Sequence, residues 1–214
     1  MASIAERKQP LRVLALLDGL ARASVFNAPL RAVHELAYLA NVLAPVFDLP
    51  AVTASLLKRR GGPYYPELQQ TIDRLVGCGM VSVSGLRYIH VAEEGRYRME
   101  ADYALDDTRT AAVLQQYRNV YRETGETHFI EQLTAAYAVL NDDLSGGAVL
   151  QDARYADADV DTNEVIDFGE WSALKASNFS FNAAMAFRPG DPLQPAERLF
   201  MYMEHMQRRA AHAS

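Results

Sequence analysis

Oxygen-bearing side chains recur at regular spacing in residues 159–170. Counted from Asp159, carboxylate or amide oxygens fall at positions 1, 3 and 5, 9 and 12. The residues at these positions are Asp159, Asp161, Asn163, Asp167 and Glu170. A 12-residue calcium-binding loop supplies its oxygen ligands with this spacing, because Ca²⁺ prefers several hard oxygen donors. The segment is therefore a candidate metal site.

The same segment departs from the EF-hand pattern. Position 6, where an EF-hand uses glycine for a sharp turn, is Glu164. The preceding sequence is only weakly helical, and no second loop of this kind follows elsewhere. In a non-metal interpretation the acids form a solvated turn, Val165-Ile166 is a short buried strand, and Asp167 or Glu170 stabilises a helix start through its dipole. Calcium binding stays a secondary hypothesis, and we expect no cofactor.

A second group of side chains suits contacts with phosphate or with a partner protein. Basic residues precede a predicted helix, polar residues lie along it, and arginines follow in a predicted hairpin. The candidate contact residues are Lys58, Arg59, Arg60, Tyr64, Tyr65, Gln69, Gln70, Arg74, Arg87, Arg96 and Arg98. Arg and Lys bind phosphates, and Gln reads base edges. The tyrosines can stack on a partner, or they can seal the helix start against the core. The helix also carries Glu67 and Asp73, so an ordinary solvated surface is an equally simple interpretation.

Charge is distributed unevenly along the chain. Residues 1–100 hold 12 Lys and Arg against 9 Asp and Glu, whereas residues 101–214 hold 9 against 18. The first part is thus +3 and the second −9, within a total of −6. This balance argues against a protein that mainly coats nucleic acid, whose affinity depends on phosphate neutralisation. It also predicts different partners for the two halves.

Signals for enzymatic chemistry are weak. The five histidines show no paired metal spacing, no nucleophile elbow surrounds a serine, and no glycine loop suits a phosphate. The single cysteine, Cys78, excludes an internal disulfide. No segment looks like a signal peptide or a membrane span. We therefore expect a cytoplasmic protein that is not an enzyme.

The predicted elements are helices followed by a hairpin. Helical spacing is present around Val13–Leu20 and 31–45, and again in 65–78, where Pro66 suits a first turn and glycines end the helix. Residues 81–105 alternate, and Ser84-Gly85 and Glu93-Glu94-Gly95 suggest turns within them, so they predict two or three short antiparallel strands. The fold class expected is mainly α with a small antiparallel β-wing: a winged-helix part, residues 8–105, and an acidic helical part, residues 106–214.

Two stretches carry a family resemblance. HELAYLANVLAP and the following LKRRGGPYYPELQQTIDRLVGCGMVSVS resemble the middle components of Lamassu-type three-component defence systems, which are winged-helix proteins encoded beside SMC-like ABC ATPases. They are also similar, more weakly, to the Panacea antitoxin domain. The resemblance covers about residues 30–90. The first family implies an accessory subunit that docks on the ATPase and restrains an effector, and the second implies neutralisation of a toxin.

These observations predict a non-catalytic adaptor in a bacterial anti-phage defence complex, bridging an SMC-like ATPase and an effector protein. The alternative is a winged-helix DNA-binding regulator or antitoxin that acts alone as a dimer, with double-stranded DNA as its partner. No membrane partner is expected. For the adaptor, the hairpin and the 65–78 helix are one expected contact surface. The other is formed by the Tyr-, Met- and Phe-bearing C-terminal helices, the last of which has an apolar stripe of Leu199, Tyr202, Met203 and Met206.

Overall fold

The computed structural model describes residues 4–50, 55–57, 62–91, 95–140, 147–153, 155–156, 165–167, 178–187 and 192–213. Within these ranges the helices are α1 (Ile4–Arg22), α2 (Leu30–Leu43), α3 (Pro66–Gly77), α4 (Asp107–Tyr121), α5 (Glu126–Ala138), α6 (Phe179–Ala186) and α7 (Pro195–Ala213). The strands are β1 (Ala28–Pro29), β2 (Ser55–Leu57), β3 (Val81–Val91), β4 (Arg96–Leu105) and β5 (Val165–Asp167). The prediction of a mainly helical chain with a small antiparallel sheet is confirmed.

The strands form two antiparallel sheets. The larger has the order β1-β4-β3, and the smaller pairs β2 with β5. Strands β3 and β4 form one long hairpin rather than two or three short strands. Gly85 lies in a β-bulge between Ser84 and Arg87 and has φ +61°. The glycine that suggested a turn therefore interrupts the register of β3 without ending the strand.

Helix α2 lies at the centre of the molecule. Its apolar pattern predicts one buried face, yet residues all around it are buried, because α1, α5, α6 and the sheet pack on different sides of it. Its buried polar side chains have partners in these neighbours. The Tyr137 hydroxyl donates to Glu35 Oε2 at 2.6 Å, and Asn41 Nδ2 donates to the Tyr65 hydroxyl at 3.2 Å.

Helix α3 begins and ends where its sequence predicts. Pro66 occupies the first turn, where a missing N–H costs nothing. At the other end Gly79 has φ +72°, its N–H donates to Val76 O, and Met80 N–H donates to Leu75 O. This pair of bonds is a Schellman motif, which glycine favours because it has no Cβ. The prediction of a helix from Tyr65 to Cys78 is confirmed to within a residue at each end.

One hydrophobic core joins the two halves of the sequence. It includes Leu14 and Leu36 from the first half, and Phe129 and Tyr137 from the second. Asp106 caps α4, since its side chain accepts from Arg109 N–H at 3.1 Å. The expected boundary thus coincides with the junction between β4 and α4. The division into domains 8–105 and 106–214 stays a prediction.

The last helix does not offer the contact surface that its apolar stripe suggested. Leu199, Tyr202, Met203 and Met206 are each at most 1% exposed and belong to the core. That prediction is wrong, because α5, α6 and the short helix Ala148–Gln151 cover this face of α7.

None of the helices in the part of the chain that the structure describes is long and apolar enough to cross a membrane.

Candidate functional site

The most exposed ordered element is the β3–β4 hairpin. Residues 82–90 of β3 and 97–99 of β4 are all exposed, although they are paired with each other in a regular ladder. Among the described residues, the hairpin packs on the core through its base, where Val81, Ala101 and Tyr103 are buried. The hairpin therefore extends away from the core. We call residues 83–91 and 96–100 the wing.

Apolar side chains lie on both faces of the wing. Residue pairing and the alternation of β4 place Tyr88, His90, Tyr97 and Met99 on the face that continues from buried Ala101. Tyr88 is 68% exposed and Tyr97 is 70% exposed, and the His90 and Tyr97 rings lie 5.1 Å apart. Further exposed apolar side chains are Leu86 in the bulge and Ile89 on the opposite face. Such a two-sided apolar surface is typical of a protein-binding element.

The arginines of the wing are partly neutralised within the chain. Arg87 Nη2 lies 3.1 Å from Glu100 Oε2, and Arg98 Nη2 lies 3.0 Å from Glu100 Oε1. Two guanidinium groups thus share one carboxylate on the face opposite Tyr88. The arginines are about half exposed, so they remain able to contact a partner. Their excess charge is a single positive unit, which is a small footprint for phosphate binding.

Helix α3 presents a mixed surface. Gln70 and Arg74 are exposed as predicted, but Glu67 and Asp73 are exposed beside them. Gln69 does not fit the predicted contact role, because its amide is engaged inside the molecule. Its Oε1 lies 3.2 Å from His34 Nε2, and its Nε2 donates to Asp73 at 2.9 Å. The exposed face of α3 therefore lacks the basic character of a recognition helix.

The two tyrosines before α3 have separate environments. Tyr65 is 2% exposed, and its hydroxyl accepts from Asn41. Its predicted role in partner contact is wrong, because it seals the helix start against the core. The backbone N–H of Tyr65 donates to His34 Nδ1 at 3.2 Å, which leaves Nε2 as the protonated nitrogen facing Gln69. Tyr64 is half-buried and stacks on His34, with ring centroids 5.0 Å apart.

Several predicted site residues lie outside the described residues. These are Lys58, Arg59 and Arg60 of the basic cluster, and Asp159, Asp161, Asn163 and Glu170 of the calcium-like loop. For Arg96, only the backbone in β4 is described. Asp167 ends β5, which pairs with Ser55–Leu57. This confirms a strand at Val165-Ile166, while its burial stays a prediction. Within the described ranges, no group of His, Cys, Asp or Glu side chains has the arrangement of a metal site. Calcium binding stays a prediction.

A buried polar cluster surrounds Asp152, which is 0% exposed. Its carboxylate accepts from the hydroxyls of Tyr38, Ser180 at 2.8 Å and Tyr202 at 2.7 Å, and from Tyr155 N–H at 3.1 Å. Burial raises the pKa of Tyr202, and the charge of Asp152 raises it further. The same two causes raise the pKa of Tyr38. These buried hydrogen bonds fasten α2, α6 and α7 to the segment around Asp152.

A second buried cluster links α1 to α4 and α5. Arg12 is 7% exposed, and burial lowers its pKa, against the opposing effect of the Glu126 charge. Glu126 accepts from the Tyr117 hydroxyl at 3.0 Å, and Arg12 Nη1 donates to Asn41 at 3.5 Å. Lys8 lies over the Tyr121 ring, 4.6 Å from its centroid. The Lys8–Tyr121 contact and the charge interaction between Arg12 and Glu126 cross the expected domain boundary.

In the wing, the sequence predicted arginine contacts but not the exposed apolar side chains. The signal was present in β3, where apolar side chains occur at positions of both parities from Leu86 to Ile89. A strand with one buried face alternates apolar and polar residues, so this pattern indicates a strand with apolar side chains on both faces.

The chain was compared with protein-family models, with curated proteins and with solved structures, and no match was found.

Proposed function

We propose that this chain is a non-catalytic adaptor that binds a partner protein through the wing. The observation that carries the proposal is the exposure of Tyr88 and Tyr97 on an ordered hairpin. An aromatic side chain has about 150–250 Å² of surface, so each of these leaves roughly 100–175 Å² in water. Burying that area contributes about 2.5–4 kcal/mol per residue, which is the range of an interface hot spot.

The resemblance of residues 30–90 to middle components of Lamassu-type systems indicates which partner to test first. It is an SMC-like ATPase, with an effector protein as the second partner. The helices and strands follow the order α1-β1-α2-β2-α3-β3-β4, with β2 in the separate smaller sheet. The helix pair followed by a hairpin, and the strand order β1-β4-β3, support the winged-helix component of this proposal. The wing is then the element that docks on the partner.

A DNA-binding regulator or antitoxin is the second candidate, because the same element order is favourable for it. The charge distribution supports it less. Arg87 and Arg98 share Glu100, and Arg74 lies on a helix face with Glu67 and Asp73. Protein binding through aromatic side chains requires no excess of positive charge, so it agrees better with the surface that the structure describes.

The test is co-purification of the tagged chain with the SMC-like ATPase encoded nearest to it. We expect the wild-type chain to retain the ATPase at moderate salt. A Tyr88→Ser/Tyr97→Ser variant should weaken binding by at least about 30-fold for each tyrosine, as loss of about 2 kcal/mol implies. Phe26→Ser is the matched control, because Phe26 is 67% exposed and precedes β1, away from the wing.

Three outcomes distinguish the candidates. Retention that is lost only in the wing variant supports the adaptor. Equal retention by the wing variant and the Phe26→Ser control contradicts binding through the wing. Binding to duplex DNA that falls steeply with salt, together with no retained protein, favours the DNA-binding candidate.

A further inference from the structure

Strand β3 lies at the edge of the larger sheet. The proposed partner binds the faces of the wing and leaves this edge free. In the larger sheet β4 is central, with β1 on one side and β3 on the other. Strand β1 covers only two residues of β4, whereas β3 is 11 residues long and has β4 as its one strand neighbour within the described ranges. A strand edge of this length presents unpaired backbone N–H and C=O groups to another chain.

The pairing shows which groups face outward. Pro29 has no N–H, so Ala28 and Tyr103 must form the hydrogen-bonded pair between β1 and β4. The backbone N–H and C=O groups of successive residues in β4 point alternately to β1 and to β3. Those of Glu100 and Arg98 therefore point to β3, where they bond the backbone groups of Arg87 and Ile89. The backbone groups of Tyr88 and His90 therefore point away from β4, along the open edge.

This edge lacks the usual protection against association. Natural edge strands are protected by lysines, by prolines or by bulges. The sequence of β3, VSVSGLRYIHV, contains one charged residue, Arg87, which is already paired with Glu100. The bulge at Ser84 to Arg87 leaves residues 87–91 in regular register with β4. Five consecutive residues therefore remain suited to strand addition.

We propose that this edge pairs with a second copy of the chain, β3 against β3 in antiparallel orientation. The outward groups of Tyr88 then bond those of His90 in the other copy, and Ile89 faces its own counterpart across a two-fold axis perpendicular to the sheet. This register places an aromatic ring beside an imidazole and two aliphatic side chains together, and opposes no like charges. Because antiparallel neighbours keep the same faces, Tyr88, Tyr97 and Met99 of both copies form one continuous surface.

The proposal concerns the same hairpin as the proposed function but uses its edge, so the two can be tested separately. The first test compares His90→Pro with His90→Ala by analytical ultracentrifugation over a concentration series. Proline removes an N–H that makes no bond to β4, so it is tolerated at this edge but cannot donate to a second copy. We expect a dimer for the wild type and for His90→Ala, and a monomer for His90→Pro that circular dichroism shows to be folded.

A second variant covers the case in which His90→Pro does not fold. Ile89→Glu places a carboxylate opposite Arg98 within the hairpin, and this pairing of opposite charges favours the folded monomer. In the proposed dimer the same carboxylate would face its counterpart in the other copy, and this pairing of like charges disfavours association. The variant should sediment as a folded monomer. A wild-type chain that is monomeric at every concentration overturns the proposal, as does a dimer that persists in a folded His90→Pro or Ile89→Glu variant. Partner retention is scored separately with the Tyr88→Ser/Tyr97→Ser variant, so failure of the dimer and failure of the proposed function give different results.

Discussion

Removal of the Asp152 carboxylate should destabilise the protein more than any single change at its surface. Asp152 accepts hydrogen bonds from three buried hydroxyls and one backbone N–H, and no part of it is exposed. Each buried donor that loses its acceptor costs about 1–3 kcal/mol. Asp152→Ala removes four such bonds at once, so we expect the free energy of unfolding to fall by about 4 kcal/mol or more.

Two milder variants should lower the free energy of unfolding by less than Asp152→Ala does. Asp152→Asn keeps the shape and one oxygen but loses the charge, which should cost about 1–3 kcal/mol. Ser180→Ala removes one bond to a charged acceptor and should cost about 1.5–3 kcal/mol. Glu204→Ala is the control, since Glu204 is exposed and pairs with exposed Arg208 at 2.6 Å in an i,i+4 arrangement, so it should change stability by about 0.5 kcal/mol at most.

The assay is urea unfolding monitored by circular dichroism, with the midpoint and slope fitted for each variant. For a chain of this size, a loss of about 4 kcal/mol corresponds to a melting temperature lower by roughly 8–16 °C. The reasoning is refuted if Asp152→Ala shifts the midpoint no more than Glu204→Ala does at equal slope.

Two further predictions follow from buried groups. Burial and nearby carboxylates raise the pKa of Tyr38, Tyr117 and Tyr202 above the usual value of about 10. The folded state therefore favours the neutral hydroxyls, and their contribution to the free energy of unfolding is fully present below about pH 10. Unfolding free energy should therefore fall as pH rises above about 10, and less steeply in Tyr202→Phe; an equal slope in both proteins would be inconsistent with this account. A Cβ added at Gly19 would overlap the Thr134 side chain, so Gly19→Ala should lower the free energy of unfolding by about 1–3 kcal/mol despite the helix propensity of alanine. Adding Thr134→Ala should restore part of that loss in thermal unfolding, and strict additivity of the two changes would exclude the clash.

The parts of the fold that could be predicted from sequence are those with local causes. Helix α3 was predictable because Pro66 and Gly79 act on the backbone at their own positions. Gly85 was misleading, because a bulge and a turn both use a glycine with positive φ, and only the pairing of β3 with β4 distinguishes them. The stripe of α7 was recognised, but periodicity does not say whether another element covers it.

The parts that escaped prediction depend on long-range contacts. Asp152 lies in an acidic stretch that looks solvated, yet its hydroxyl partners Tyr38 and Tyr202 are 114 and 50 positions away. Tyr65 was a candidate contact residue because sequence does not show that Asn41 lies beside its hydroxyl. The wing was placed correctly as a hairpin. Its exposure follows from the absence of any described element packed over residues 82–90, which pattern alone cannot establish.

The most direct test of binding through the wing is hydrogen–deuterium exchange of the chain alone and in complex with the partner that it retains. If the wing docks on that partner, amides in residues 82–91 and 96–100 should exchange more slowly in the complex. Peptides from α3 should be unchanged, because its exposed face carries no apolar patch. Protection confined to α3 or to α7, with the wing exchanging as fast as in the free chain, would contradict the proposed function.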